Sequence, residues 1–317
     1  MNASAICSEL YKIIHKQQLI GRVHSVFDSS LNILDENGQL ITFLNPNKPM
    51  SPNAIKVEEN ISFLDLSIKQ GQELTFSKEF AIDEKGKRII CYNKATLWDK
   101  SPTLFEGGNL FRDTLENVSE KLNNMGIFIL REGKKYGIVP LLRTLESRIE
   151  GIELLLDEDT VFSKKEEFIK ERFLSFIDSY INEDIEEISQ GASKIVGYGI
   201  GLTPSMDDFL SGIMLSRIYL SSYLHQDMDR AYEINKAIIK HIINKTTLVS
   251  QEMMTHSSRG DVNEDLRNLM LSFLTDRYTE GFNECLKRVA DFGATSGTDM
   301  ISGIYVGSLI MLLNIRR

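Results

Sequence analysis

Residues 31–44 read Leu-Asn-Ile-Leu-Asp-Glu-Asn-Gly-Gln-Leu-Ile-Thr-Phe-Leu, and this stretch decides how the front of the chain folds. Two short apolar runs flank Asp35-Glu36-Asn37-Gly38, a turn composition that joins antiparallel strands. Working outward, Arg22-Val23-His24-Ser25-Val26-Phe27 alternates like a further strand. On the other side Ile61–Leu66, Leu74–Phe76 and Arg88–Tyr92 continue the pattern, the last after a turn at 83–87. Several short strands at this spacing predict a small antiparallel sheet or partly closed barrel of roughly 80 residues.

The period lengthens after residue 105. Phe111, Leu115, Val118, Leu122 and Met125 share one face of a helix, which Gly126 would end as a C-cap. A short strand or buried linker is expected at 127–131. Pro140 would open a second helix reaching Leu156, and Ser163 would cap a third that turns Phe168, Phe173, Phe176 and Ile177 inward before Gly191. Helical patterns then cover 207–224, 228–248, 261–273, 276–290 and 299–315. The predicted fold is α+β: a β-rich domain over 1–104, followed by a larger, mainly α-helical domain over 105–317.

Composition narrows the function classes. Forty-five acidic and thirty-six basic side chains give a net charge of −9, which disfavours nonspecific binding to nucleic acid or an anionic membrane. Three widely spaced cysteines, Cys7, Cys91 and Cys285, fit a reducing compartment and a packing role. The longest apolar run, Ile301–Ile315, is interrupted by Gly303, Gly307, Ser308 and Asn314 and reads as a buried helix. A cytoplasmic protein without a membrane segment is expected.

The chemistry concentrates at 197–212, Gly-Tyr-Gly-Ile-Gly-Leu-Thr-Pro-Ser-Met-Asp-Asp-Phe-Leu-Ser-Gly. Gly197, Gly199 and Gly201 leave the backbone bare for a ligand, and Asp207-Asp208 opens a helical pattern. The element Asp208-Phe-Leu-Ser-Gly212-Ile213 recurs as Asp299-Met-Ile-Ser-Gly303-Ile304, each copy following a Gly-x-Thr step. The repeat predicts two glycine loops delivering two helix N-termini to one cavity, with Gly212 and Gly303 letting the helices approach closely. Free N–H groups there, with Thr203, Ser205, Thr295, Ser296 and Thr298, suit a small anion. Asp207, Asp208 and Asp299 repel a bare anion, so they would hold Mg²⁺ or Mn²⁺, orient an amide N–H or act as general base. The plain alternative is that Asp208 and Asp299 only cap their helices. A third candidate, Thr255–Asp261 with His256 and Arg259, reads first as an exposed interhelical loop.

The P-loop, nucleophile-elbow and His-Glu-x-x-His signatures are absent, and the Gly197–Gly201 spacing does not fit a dinucleotide loop. The motif Gly-x-Gly-x-Gly-Leu-Thr-Pro-Ser-x-Asp-Asp-Phe-Leu-x-Gly, behind a β-rich front portion, resembles the AllH-type (YlbF-type) proteins. The specific match is confined to 197–212, with a weaker one at 293–303. The resemblance implies a subunit of a three-component oxamate carbamoyltransferase of purine and allantoin degradation, partnered by FdrA-type and YlbE-type subunits. That enzyme interconverts oxalurate plus phosphate with oxamate plus carbamoyl phosphate. The Ser-x-Arg-Thr signature of ordinary transcarbamoylases is missing, since the only Arg-Thr pair, Arg143-Thr144, follows Leu141-Leu142. Two other classes stay open on the residues: a free-standing metal-dependent hydrolase, and a non-catalytic ligand-binding or scaffold subunit.

Overall fold

The computed structural model describes residues 1–105, 110–149, 164–276 and 278–316. They form two compact units, Met1–Ser101 with Asp261–Glu264, and Pro102–Gly260 with Asp265–Arg317. The fold is α+β.

The first unit is a curled, mixed nine-stranded sheet, a half-barrel. Its strands are β1 (Ala3–Cys7), β2 (Leu19–Val26), β3 (Ser30–Asp35), β4 (Leu40–Leu44), β5 (Ala54–Val57), β6 (Glu73–Phe76), β7 (Phe80–Asp83), β8 (Arg88–Cys91) and β9 (Thr96–Trp98), in the order β8-β7-β6-β2-β3-β4-β5-β1-β9. The β3–β4 hairpin forms in the register its sequence requires, Ser30 opposite Leu44 and Leu34 opposite Leu40. Its turn is held by Asp35, whose Oδ1 accepts the N–H groups of Asn37 (2.9 Å) and Gln39 (2.7 Å). Gly38 takes the left-handed φ of +79° that the turn demands.

The partly closed barrel forms as expected, with two departures in detail. The sheet is not wholly antiparallel, because β4–β5 and β1–β9 run parallel. The β1 strand and the helix after it, α1 (Ser8–Lys16), had no clear alternation to announce them. Leu10 and Ile14 of that helix join Ile33, Phe43 and Phe76 in the core of the sheet. The run 61–66 is not a strand but a single 3₁₀ turn, Phe63–Asp65. Phe63 is buried as an anchor while Leu64 stays exposed.

The second unit is helical: α2 (Leu115–Arg131), α3 (Val139–Leu142), α4 (Lys164–Asn182), α5 (Ile185–Ile195), α6 (Ser205–Tyr223), α7 (Met228–Ile239), α8 (Leu248–Ser257), α9 (Glu264–Leu274), α10 (Phe282–Ala290) and α11 (Ser296–Arg316). At its centre α6 lies against α11, and every residue of α6 is buried. The two backbones touch through glycine. A Cβ added to Gly212 would collide with the carbonyl oxygen of Met300, and one on Gly303 with that of Phe209. One on Gly307 would strike the Ser216 hydroxyl. The close approach expected of the two Ser-Gly steps is therefore present. By length and composition alone the Ser296–Ile315 stretch of α11 is long and apolar enough to cross a membrane, more than its interrupted run suggested, but 78% of its most apolar window is buried inside the structure, as in a core helix.

Several boundaries moved. Gly126 does not end α2: the helix runs on through 127–131, where a strand or linker was expected, because Gly126 makes room for the Tyr305 ring of α11. Phe111 precedes α2 and is 82% exposed, and Phe168 on α4 is 62% exposed rather than inward. Gly191 lies inside α5, packed on Phe176, while α4 stops before Glu183, which has a positive φ. Pro140 sits in the one-turn α3; the expected continuation of its helix to Leu156, past Ile149, and the Ser163 cap lie outside the described residues. The 228–248 pattern divides into α7 and the start of α8.

Candidate functional site

The first glycine loop leaves α5 at Ile195 and returns as α6. Gly197, Gly199 and Gly201 have φ of +80°, +129° and +97°, a sequence of turns that residues with a Cβ rarely adopt. A Cβ on Gly197 would meet the Lys245 carbonyl and one on Gly199 the Ser205 amide, whereas Gly201 faces open space. The loop is tied back by Met206 N–H donating to the Tyr198 carbonyl at 2.9 Å and by Thr247 Oγ1 donating to the Leu202 carbonyl.

Asp207, expected to bind ligand or metal, works as the loop's internal staple. Its Oδ1 accepts the Gly197 N–H at 2.7 Å, and its Oδ2 accepts from Ser250 Oγ at 2.6 Å and from Thr246 Oγ1. Burial raises its pKa and those three donors pull it back part of the way. Thr246 and Ser250, at the N-terminal end of α8, carried no signal in the sequence beyond a hydroxyl-rich helix start.

The second loop meets the first. Thr203 Oγ1 and Ser296 Oγ are 3.0 Å apart, and Ser205 Oγ and Thr295 Oγ1 are 3.4 Å apart. Thr203, Thr295 and Ser296 are half-buried, with fully buried Asp208 and Asp299 close behind them. Neither aspartate is an N-cap. Pro204 occupies that position for α6, Asp208 is the fourth helical residue, and Asp299 is likewise the fourth residue of α11. A helix cap accepts N–H groups of its own first turn; these carboxylates do not.

Their surroundings differ. Asp299 Oδ1 accepts the Ile138 N–H at 2.8 Å, while Oδ2 has no hydrogen-bond partner. Burial pushes its carboxyl up to about 6, offset in part by the Ile138 amide and the nearby Ser205 and Thr295 hydroxyls. Neither oxygen of Asp208 has a hydrogen bond of ordinary geometry. Burial raises it well above the usual carboxylate range; the Asp299 charge adds to this, and the adjacent Ser296 and Thr203 hydroxyls relieve it only partly. Asp208 therefore holds its proton more tightly than an ordinary carboxyl. Three buried carboxyl oxygens in one place lack partners, where each such group ordinarily costs about 1–3 kcal/mol.

A third segment closes on Asp299. Gly133-Lys-Lys-Tyr-Gly137-Ile138 links α2 to α3, and the Lys134 N–H donates to Thr298 Oγ1 at 3.1 Å. Gly137 (φ +76°) passes so near the Asp299 carboxylate that a Cβ would overlap it. Thr298, expected at the ligand, is thus spent on this turn. The bracketing glycines are the signal that was there to be read. His256 and Thr255 fall inside α8 rather than in a loop; His256 Nε2 lies 3.9 Å from Glu252. Arg259 is exposed, and Asp261 pairs with Lys100 at 3.2 Å. Among the described residues no three His, Cys, Asp or Glu side chains are arranged to hold a metal ion. With Asp207 engaged elsewhere, the carboxylates left for a cation are Asp208 and Asp299.

Two family models match the chain. Residues 2–96 match the AllH family N-terminal domain, and residues 195–308, which include both glycine loops, match oxamate carbamoyltransferase subunit AllH. Together they span most of the sequence, and the chain belongs to the AllH family, whose description makes its members subunits of a larger enzyme. No solved structure matches it.

Proposed function

We propose that this AllH-family chain binds the carbamoyl-bearing substrate of an oxamate carbamoyltransferase between the first turns of α6 and α11. The observation that carries this reading is the set of three unpartnered carboxyl oxygens on Asp208 and Asp299. Buried acceptors are retained without partners where a ligand supplies the donors. An amide or ureido NH₂ group offers two N–H donors on a small planar frame. The other end of such a ligand, a carboxylate or phosphate, suits the positive ends of the two helix dipoles and the hydroxyls of Thr203, Ser205, Thr295 and Ser296. Oxamate and oxalurate carry both ends. Burial favours the protonated form of Asp208, which lowers the negative charge the pocket presents to an anion.

In the transfer, the oxamate nitrogen forms a bond to the carbamoyl carbon of carbamoyl phosphate, the carbon–oxygen bond to phosphate breaks, and the nitrogen gives up a proton. Asp299, charged above pH 6, is the group to accept that proton. In its protonated form, which burial favours, Asp208 donates to an oxygen of the substrate and holds it in place. Gly199 and Gly201 leave the loop backbone open to the anionic end, whereas Gly197, with its amide on Asp207, supports the loop from behind. Mg²⁺ or Mn²⁺ is the alternative occupant: with both carboxyls ionised, Asp208 and Asp299 would hold the ion in place of their proton-transfer roles, with substrate oxygens and water completing its shell. Such an ion would polarise the carbamoyl oxygen. The FdrA-type and YlbE-type proteins are the proposed companion subunits in purine and allantoin breakdown.

Carbamoyl transfer by the reconstituted three-component enzyme tests the reading. Asp208→Asn and Asp299→Asn are each expected to lower turnover about a hundredfold or more. Undiminished turnover in both variants would remove the aspartates from the chemistry.

A further inference from the structure

Among the described residues, none of those lining the site carries a positive charge. Its walls are hydroxyls, backbone and two aspartates, yet the ligand reading above requires an anionic end to settle there. Helix N-termini give partial charge only, each worth about half an elementary charge. The turn at 133–138 supplies what is missing.

The turn is fastened at both ends to the first turn of α11, by the Lys134 amide on Thr298 and the Ile138 amide on Asp299. Gly133 fits at the end of α2, where a Cβ would collide with the Ile129 carbonyl and stand 3.0 Å from the Thr298 methyl. Gly137 fits only because it has no side chain to strike Asp299. The backbone of Lys134 is thus set beside Thr298, one residue from Asp299. Its side chain is exposed and makes no ion pair among the described residues. Lys135 next to it is spent, its Nζ folded back onto the Leu130 carbonyl. A lysine side chain is long and mobile, and its compact charge suits an anion held at the rim of the α11 N-terminus.

We propose that Lys134 binds the anionic end of the ligand held by Asp208 and Asp299, closing the site from the α2 side. This inference rests on the carbamoyl-substrate reading above. It makes Lys134 a binding residue that offsets the charge of Asp299 without touching the transferred proton.

The test measures steady-state kinetics with oxamate as the varied substrate in the reconstituted enzyme. Lys134→Met is expected to raise the KM for oxamate about tenfold with kcat changed less than about threefold, a loss of one charge-assisted contact. Lys134→Arg should restore most of the affinity, and Lys135→Met should leave KM unchanged. The wild-type KM should climb with added salt more steeply than that of Lys134→Met. An unchanged KM in Lys134→Met, or an equal rise in Lys135→Met, overturns the proposal. If Asp208→Asn abolishes turnover while Lys134→Met behaves as wild type, only the lysine is wrong; if Asp208→Asn and Asp299→Asn both turn over normally, the site reading itself falls.

Discussion

The chain writes the same phrase twice, at 208–213 and at 299–304, and folds the two copies to different ends. In packing they are equivalent. Each Ser-Gly step lies against the other helix, and each glycine is placed where a Cβ would strike its neighbour's backbone. In electrostatics they diverge. Asp299 has one oxygen pinned by the Ile138 amide, whereas both oxygens of Asp208 go without. The first loop needs three glycines in left-handed conformations and a staple at Asp207; the second needs one, Gly293 at +56°. A repeated sequence thus fixes a symmetric scaffold, and the unrepeated segments leaning on it give two identical carboxyls different hydrogen-bond surroundings. An acid and a base placed side by side require such a difference.

The symmetric half of this comparison should break hardest. Gly212→Val and Gly303→Val are each expected to cost more than about 3 kcal/mol by denaturant unfolding, because neither helix backbone can withdraw. A small loss in one and a large loss in the other would show that the copies do not pack alike.

The asymmetric half is sharpened by pH. Asp299 binds its proton more tightly folded (about 6) than an ordinary carboxyl (3.8), so its contribution is fully present below pH 3.8 and fades as pH rises through 6. The pH 4 to pH 7 difference in unfolding free energy should therefore shrink in Asp299→Asn, by on the order of 2–3 kcal/mol. Asp208→Asn should shift the difference in the same direction. Equal profiles for wild type and Asp299→Asn would place that carboxyl outside the buried pair. Turnover limited by a charged Asp299 should rise through pH 6 and lose that limb in Asp299→Asn.

The smallest expected effect separates the loops themselves. Gly201→Ala, in open space but at φ +97°, should lose roughly 1 kcal/mol from backbone strain alone. Gly197→Ala should lose more, since it also meets the Lys245 carbonyl. A larger loss at 201 than at 197 would mean the loop tip is buried in a way its exposure does not reveal.

Much of this was legible beforehand, and the misses share a cause. The hairpin at 31–44 was readable because a two-residue period and its turn chemistry are local. The pairing of the glycine loops was readable because the phrase recurs. What was missed is decided at a distance. Whether Gly126 ends a helix or admits an aromatic ring depends on Tyr305 in another helix, and no local pattern records that. Asp207 and Asp208 are neighbours of the same type, yet one is hydrogen-bonded by Thr246 and Ser250 while the other has the Thr203 and Ser296 hydroxyls beside it without a hydrogen bond of ordinary geometry. Lys134 sits in what reads as an ordinary connector, distinguished only by a glycine on either side.

The contacts of α2 with α11 carry one more consequence. Gly126 rests on Tyr305, and the turn beyond Arg131 hangs from Thr298, two helical turns away along the same face. One helix is clasped by the other at its middle and again at the entrance to the site, as a stave is held by two hoops. The 133–138 segment, a loop by shape, therefore belongs mechanically to the core: its Lys134 and Ile138 amide protons should exchange with solvent slowly, at the pace of α11 rather than of a surface turn. Any opening of the pocket on that side must carry α2 with it.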